Sequence, residues 1–391
     1  MDKVVVVGMA RTPMGAFMGQ FAGVAAPQLG ATAILAAMEQ AGIDVHCVSQ
    51  VIMGNVIAAG LGQAPARQAA LLAGLPVSVS AMTINKVCGS GMKAIMLGCQ
   101  ALKTGQARVV VAGGMENMSR APFLLSNARG GYRAGHGELI DAMYLDGLQD
   151  AYSANLMGVY AEATAERYGF TREQQDAFAL ASLERALAAA RRGATLREIS
   201  PVQVSGPKGD LLIRDDEPLQ KAKPDKVPLL KPVFRADGTV TAANASAIAD
   251  GAVALVLTTA SYAEKHGLSV IAQIEGESEY AHEPAWFTTA PVGAVKALLK
   301  QCQWAVDTVE LFELNEAFAV VAMAAMQDLG ILHENVNVRG GACALGHPLG
   351  ASGARIIVTL IAALEQENKH RGVASLCIGG GEAVAIAVSR V

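Results

Sequence analysis

The chain has 391 residues, enough for two or three domains or for one large duplicated body. Hydrophobic residues make up 52% of it and charged residues only 17%, which predicts a large buried core and excludes a disordered or fibrous protein. The net charge is −4 without a basic stripe, so we expect no nucleic-acid partner. No run of 18 apolar residues occurs, so we expect no membrane span.

The six cysteines form no CxxC pair, and no histidine lies at zinc-finger spacing from two of them. In a chain of this length, that pattern predicts free thiols rather than a disulfide framework or a structural zinc site. We therefore expect a cytoplasmic protein without a bound metal. Four of the thiols lie in apolar patterns and are predicted to be core, namely Cys47, Cys99, Cys302 and Cys343.

Helical and strand-like patterns alternate along the chain. The predicted helices lie at residues 31–40, 90–95, 159–168, 172–192 and 295–301 and from 352 onward. The predicted strands lie at 51–55, 108–112, 253–257, 311–315 and 373–378. Glycine runs at 113–114 and 379–381 are predicted to follow two of these strands. Matching features of the first and last thirds lie about 260 positions apart, which indicates two similar halves.

We predict three regions from this duplication. The N-terminal core half comprises residues 1–117 and 248–270, and the C-terminal core half comprises 271–391. Residues 118–247 form an inserted loop domain, in which the Gly- and Arg-rich segment 127–137 is an exposed loop. Alternating strands and helices favour an α/β fold with mixed or parallel sheets covered by helices.

Cys88 lies between a strand-like segment and a predicted helix start, in residues 85–91 (NKVCGSG). The dipole and free N–H groups of a helix start favour a thiolate, and flanking glycines let a substrate approach the backbone. The pattern therefore predicts a nucleophilic cysteine. A buried, inert thiol is the alternative, because cysteines are commonly buried.

His347 lies in a glycine-rich loop, residues 340–353 (GGACALGHPLGASG), directly before a predicted helix. Pro348 stiffens this loop, and an imidazole that titrates near neutral pH can take a proton from a thiol. The alternative is a closely packed loop with an incidental histidine. The phosphate-binding pattern GxxxxGK[ST] is absent.

Two further candidates lie at strand ends. Cys377 ends a strand that runs into Gly379, where backbone N–H groups can hold a developing oxyanion. Asn315 ends another strand and precedes a helix. A sharp turn with a buried cysteine and a helix cap by the asparagine are the alternatives. Because matched positions of two similar halves can converge, we expect these residues to share one site with Cys88 and His347.

Jointly, these motifs resemble those of thiolases over essentially the whole chain. The matching segments are residues 85–91, 113–119, 315–319, 340–355 and 377–381. The resemblance implies the five-layered αβαβα thiolase fold, in which two similar βαβ-type halves form the core and a loop domain is inserted in the first.

The resemblance also implies a role for each candidate. Cys88 resembles the acylated nucleophile, and His347 the base that activates it. Cys377 resembles the acid/base that exchanges a proton with the substrate α-carbon or with the thiol of coenzyme A (CoA). Asn315 matches the residue that holds a water, which forms one oxyanion hole with His347. The N–H groups of Cys88 and Gly379 match the other oxyanion hole.

For CoA, Ser246 matches the residue that contacts the pantetheine arm. The residues that match the apolar tunnel lining are Leu148, Met157, Phe234, Ala242 and Phe318. The stretch around Lys221 is basic and suits the CoA phosphates, although a solvated surface explains it equally well. Phe287 replaces a common Met, which resembles a subgroup that accepts 2-methyl-branched substrates and responds to potassium. The loop before Lys226 lacks the tyrosine of that subgroup, so potassium activation stays open.

The resemblance implies a reversible Claisen condensation of two acetyl-CoA to acetoacetyl-CoA and CoA. No cofactor is expected, because CoA is itself a substrate or product. One alternative is a 3-ketoacyl-CoA thiolase of broader chain length in fatty-acid β-oxidation. Another is a non-catalytic CoA-binding protein of the same fold. Thiolases are dimers or tetramers, and we expect a homotetramer built as a dimer of dimers through a loop near residues 127–141.

Overall fold

The computed structural model describes residues 2–206 and 209–391. Its strands are β1 (Val4–Arg11), β2 (Gly15–Ala16), β3 (Gln50–Gly54), β4 (Ser80–Ile84), β5 (Val109–Asn117), β6 (Phe123–Leu124), β7 (Ile140–Asp141), β8 (Val202–Gly206), β9 (Gly209–Ile213), β10 (Ala249–Thr259), β11 (Ala272–Ala281), β12 (Leu311–Leu314), β13 (Arg371–Ile378) and β14 (Glu382–Arg390). Its α-helices are α1 (Ala26–Ala41), α2 (Pro65–Leu72), α3 (Ser90–Lys103), α4 (Met157–Tyr168), α5 (Arg172–Arg191), α6 (Glu217–Lys221), α7 (Ala260–Lys265), α8 (Ala290–Cys302), α9 (Ala319–Leu329), α10 (Ala342–Leu345) and α11 (Leu349–Gln366).

The central strands form one mixed sheet in the order β12-β13-β14-β11-β1-β10-β5-β3-β4, with β2 added to β10. The pairs β12–β13, β3–β4 and β3–β5 are parallel, and the other pairs are antiparallel. The pairing of β1 with β11 joins the two halves of the chain into this continuous sheet.

The buried residues show five layers. One core cluster lies between α3 and α11 and the inner faces of both halves of the sheet. A second cluster packs α1 and α2 on the outer face of the first half, and a third packs α8 and α9 on the outer face of the second half. The layers are therefore helix, sheet, helix, sheet, helix, which confirms the predicted αβαβα fold.

Residues 118–247 lie outside the large sheet. Their described part contains α4, α5 and α6 and two small two-stranded sheets, β6–β7 and β8–β9. Residues 127–137 are exposed throughout, as expected of a loop. The exact domain boundaries stay a prediction.

Three expectations need correction. Gly113 and Gly114 do not follow a strand but lie inside β5, where β10 comes so close that a Cβ on Gly113 would strike the carbonyl oxygen of Val253. Helix α11 begins at Leu349, three residues before the expected Ser352. Of the four cysteines expected in the core, only Cys99 is fully buried; the partly exposed ones are Cys47, Cys302 and Cys343.

Helices α3 and α11 cross at glycines in the central layer. A Cβ on Gly353 would lie 2.6 Å from the backbone nitrogen of Met92, and a Cβ on Gly91 would lie 2.8 Å from the carbonyl oxygen of Gly350. Only glycine allows such close approach of two helix backbones. Since Cys88 precedes α3 and His347 precedes α11, this crossing brings both residues to one place.

One helix among the described residues, Leu349–Gln366, is long and apolar enough to cross a membrane. However, 89% of that stretch is buried inside the protein. Helix α11 is therefore the central core helix of this fold.

Candidate active site

A cavity of about 360 Å³ lies between the two halves and residues 144–248. Ten of the thirteen sequence-predicted site residues line it: Cys88, His347, Gly379, Ser246, Leu148, Met157, Phe234, Ala242, Phe287 and Phe318. The lining is mostly apolar, which suits the binding of an acyl group. Of the four residues expected from the duplication to converge, Cys88 and His347 line the cavity, whereas Cys377 and Asn315 do not.

Cys88 lies in a strained turn between β4 and α3. Val87, directly before it, has φ 46°, which is unfavourable for a β-branched residue. The turn is closed by hydrogen bonds from the N–H of Gly89 to the carbonyl oxygen of Lys86 (3.0 Å) and from the N–H of Ser90 to that of Val87 (3.1 Å). These contacts hold the thiol at the start of α3.

The Cys88 sulfur faces backbone donors. Burial raises the pKa of Cys88 to about 11, and the backbone N–H groups of Gly379 and of Cys88 itself oppose that rise. The thiol is therefore neutral at pH 7: the backbone N–H groups favour the thiolate, but burial outweighs them. A base is needed to remove the proton.

His347 presents one ring nitrogen to a partner and leaves the other free. Its Nδ1 lies 2.5 Å from Ser352 Oγ, and the Ser352 hydroxyl donates to the carbonyl oxygen of Pro348 (2.9 Å). Since the hydroxyl proton is already engaged, Nδ1–H donates to Ser352, and Nε2 carries the lone pair. Nε2 has no hydrogen-bond partner among residues 2–206 and 209–391.

The imidazole is neutral at rest. Burial and, to a lesser extent, the positive charge of Arg355 together lower the pKa of His347 to about 3. A neutral imidazole with an unengaged Nε2 can accept a proton from a thiol.

Cys377 and Gly379 end β13 at the turn into β14. Cys377 is 0% exposed and lies behind the cavity wall, packed with Phe287 and Phe318. Burial, followed by the nearby Cys88, raises the pKa of Cys377 well above its usual value. A Cβ on Gly89 would strike Ile378, so the nucleophile turn packs directly on this strand end. Cys377 is thus buried next to a turn, as the alternative interpretation expects, and it also lies near Cys88, as a shared site requires.

Asn315 follows β12 and lies just behind the cavity. It does not cap α9, whose N-cap is Phe318. Its Oδ1 accepts a hydrogen bond from Arg355 Nη2 (3.4 Å), while its Nδ2 has no partner in the described part of the chain. The next residues, Ala317 and Phe318, line the cavity.

Residues 246 and 247 are hydrogen-bonded both to the loop after Asn315 and to the loop that carries His347. The N–H of Ser246 donates to the carbonyl oxygen of Ala317, and the N–H of His347 donates to that of Ala247, both at 2.9 Å. The wall that holds the predicted pantetheine contact is thus bonded to the Asn315 loop and to the His347 loop.

Lys221 is not in this cavity. It borders a second cavity of about 620 Å³, together with Lys223 and Lys226, and its Nζ pairs with Glu217 at 2.6 Å. The two cavities share the wall residues Ala242, Ala247 and Ile248. A role of Lys221 toward CoA stays a prediction.

Several supporting residues were not predicted from the sequence. Ser352 and Arg355 contact His347 and Asn315, and Glu316 accepts hydrogen bonds from Ser182, Asn337 and the N–H of Cys343. Their position inside the motifs at 315–319 and 340–355 was the available signal. The cavity wall also includes Leu156.

Comparisons with known proteins agree with this geometry. The family model "Thiolase, N-terminal domain" matches residues 4–261, and "Thiolase, C-terminal domain" matches residues 268–390. The chain is 48% identical to an acetyl-CoA acetyltransferase of Pseudomonas aeruginosa, with 100% of both chains covered. It is 50% identical to acetyl-CoA acetyltransferase 2 of Arabidopsis thaliana, with 98% of this chain and 96% of the relative covered.

Solved structures give the same result. The crystal structure of the Bacillus anthracis acetyl-CoA acetyltransferase matches with a TM-score of 0.98 at 38% identity and covers 100% of this chain and 99% of that one. The Acat5 thiolase from Ascaris suum in complex with coenzyme A matches with a TM-score of 0.94 at 43% identity and covers 100% of both chains. The chain therefore belongs to the thiolase family of acyltransferases.

Proposed function

We propose that the protein catalyses the reversible condensation of two acetyl-CoA to acetoacetyl-CoA and CoA through an acyl-Cys88 intermediate. One observation carries the proposal: Cys88, His347 and Gly379 line a single apolar cavity. The relatives named acetyl-CoA acetyltransferase over the whole chain support the same reaction.

In the first half-reaction, His347 Nε2 takes the proton of Cys88, and the sulfur attacks the carbonyl carbon of acetyl-CoA. The N–H groups of Cys88 and Gly379, which face the sulfur, receive the oxyanion of the tetrahedral intermediate. The CoA thiolate leaves and takes a proton from Cys377. Acyl-Cys88, a protonated His347 and a Cys377 thiolate remain.

In the second half-reaction, the Cys377 thiolate removes an α-proton from a second acetyl-CoA. The enolate oxygen accepts a hydrogen bond from the protonated His347 and another from a water held by Asn315 Nδ2. The enolate carbon attacks the acyl carbonyl, and acetoacetyl-CoA forms. Cys88 leaves as a thiolate and recovers its proton from His347, so all three side chains return to their starting state.

CoA itself is proposed to occupy both cavities. The acyl and pantetheine parts fit the apolar cavity beside Ser246, and the phosphates fit the second cavity beside Lys221, Lys223 and Lys226. No separate cofactor is assigned, and potassium activation is a question for assay. We also propose a role in fatty-acid metabolism, because the proposed reaction makes and breaks a short 3-ketoacyl thioester.

The assay that tests this function is thiolysis of acetoacetyl-CoA compared with an eight-carbon 3-ketoacyl-CoA, each with and without potassium. We expect a higher kcat/KM on acetoacetyl-CoA. Equal or higher values on the longer substrate would favour the broader-chain thiolase. CoA binding without any cleavage would indicate a non-catalytic protein.

We also propose a cytoplasmic homotetramer, a dimer of dimers. A reducing compartment keeps Cys88 and Cys377 as thiols. Among the described residues the edge strand β4 pairs only with β3, and apolar Val77 before it and Met82 within it are exposed, which suits an interface between copies. Light scattering during size-exclusion chromatography tests this assembly, and a monomer at micromolar concentration would contradict it.

A further inference from the structure

Two buried side chains, His347 in the cavity wall and Asn315 just behind it, are each contacted by a residue of helix α11. Ser352 on α11 contacts His347 Nδ1, and Arg355, one turn further along α11, donates to Asn315 Oδ1. The opposite atoms, His347 Nε2 and Asn315 Nδ2, have no partner within the described residues. We propose that Arg355, held by Glu313, is a positioning residue that fixes the direction of the Asn315 carboxamide. This inference rests on the proposed function, because the reaction is what needs that direction.

The pair spans the central layer. Glu313 lies on β12, two residues before Asn315, and Arg355 lies on α11. Arg355 Nη1 lies 3.5 Å from Glu313 Oε2, and both side chains are only 2% exposed. Neither oxygen of Glu313 nor Nη1 of Arg355 has a hydrogen-bond partner within residues 2–206 and 209–391, so the contact between them is electrostatic. The guanidinium is thereby held between Glu313 and the Asn315 side chain.

The direction of a carboxamide depends on such a neighbour. Its oxygen accepts and its nitrogen donates, and the two ends have nearly the same shape. Arginine has donors but no acceptor, so Arg355 favours the oxygen of Asn315 and directs Nδ2 away from the guanidinium. A flipped Asn315 would present an oxygen to the bound water instead of the N–H that holds it, so a proton of the water would be engaged by Asn315 and the water would no longer be fixed as a donor to the enolate.

If Arg355 had a purely structural role, its loss should change both half-reactions equally. Arg339 serves as the control for that case. Arg339 is buried in the same region, but its Nη2 donates to the carbonyl oxygen of Ala362 (2.6 Å) and to Gln366 Oε1 (2.7 Å). No hydrogen bond of the structure joins Arg339 to Asn315 within the described residues. Loss of Arg339 thus perturbs a buried arginine without releasing the carboxamide.

The test variant is the double substitution Glu313→Leu with Arg355→Met. Removing one member of a buried pair leaves the other uncompensated, whereas replacing both with apolar residues of similar volume is commonly tolerated. If the double variant does not fold, Arg355→Lys keeps a cation beside Glu313 but not the reach to Asn315, and it is measured in the same way. Arg339→Met and Asn315→Ala complete the set.

For each variant we would measure initial acylation by labelled acetyl-CoA and the steady-state rate of condensation. The double variant is expected to lose about 100-fold in condensation and to retain acylation within about threefold. In the Asn315→Ala background, the same pair of substitutions should lower the rate of condensation by less than a further factor of about three, because Arg355 acts through Asn315. Arg339→Met should change both half-reactions equally.

A folded double variant that condenses at the wild-type rate would overturn the role of Arg355. A full further loss in the Asn315→Ala background would overturn it as well, because the effect would then bypass Asn315. A wild-type protein that does not cleave acetoacetyl-CoA would instead contradict the proposed function, so the two failures are distinguishable.

Discussion

The Nδ1 atom of His347 lies 2.5 Å from the hydroxyl oxygen of Ser352, five residues later in the chain. Because that hydroxyl donates to the carbonyl oxygen of Pro348, the histidine is held as the tautomer that carries its proton on Nδ1. The lone pair on Nε2 is then available to take the proton of Cys88. A single serine in the first turn of α11 thus prepares the base.

Replacing Ser352 with alanine should slow acylation of Cys88 by about 10- to 100-fold, because a positioned general base commonly contributes at least 100-fold. Initial acylation by labelled acetyl-CoA measures this directly. Thr359→Val is the matched control, since Thr359 is also buried on α11 and its hydroxyl has no partner among the described residues. A Ser352→Ala variant as fast as this control would contradict the assigned role.

Alkylation of Cys88 by iodoacetamide should rise steeply with pH. Burial raises the pKa of Cys88 to about 11, so the thiolate fraction should grow about tenfold for each pH unit between 7 and 10. Mass spectrometry of the Cys88 peptide follows the rate, and Cys88→Ser supplies the background. A rate that is already constant above pH 8 would mean that the backbone N–H groups outweigh burial.

Cys377→Ser should slow condensation far more than initial acylation. A hydroxyl is a much weaker acid than a thiol, so it cannot form the base that removes the α-proton of the second substrate. The comparison needs both half-reactions on one preparation, with Cys302→Ser as the control for a thiol outside the site. Equal losses in the two half-reactions would rule out the proposed acid/base role.

Gly353→Ala should destabilise the protein by about 1–3 kcal/mol, because the added methyl would lie 2.6 Å from the backbone nitrogen of Met92 and force α3 and α11 apart. The free energy of unfolding in urea measures the loss. Gly23→Ala is the control, since a Cβ there meets nothing within 4 Å. Equal stability of the two variants would show that the helix crossing is not tightly packed.

The sequence allowed the fold to be predicted because its signals are local and repeated. Helix α5 matches the helix expected at 172–192 to within one residue, and the strands expected at 311–315 and 373–378 lie within one or two residues of β12 and β13. One exception involves glycine. A glycine pair is typical of a turn, yet Gly113 and Gly114 lie inside β5, because β10 leaves no room for a Cβ on Gly113 and α11 leaves none for a Cβ on Gly114.

The site could be predicted as a set of positions but not as a network. Cys88, His347 and Gly379 line the cavity as expected, whereas Lys221 borders another one. The supporting contacts of Arg355 with Asn315 and Glu313 join residues about 40 positions apart, and no local pattern encodes such a hydrogen bond. The protonation state of Cys88 likewise depends on burial, which only the folded chain defines.

The most direct test of the account is to incubate the protein with labelled acetyl-CoA, quench, digest and locate the label. The label is expected on the peptide that contains Cys88, in an amount that approaches one acetyl group per chain, and it should be absent from Cys88→Ala. Label that persists in Cys88→Ala, or that maps to another cysteine, would contradict the central claim that this sulfur carries the acyl group.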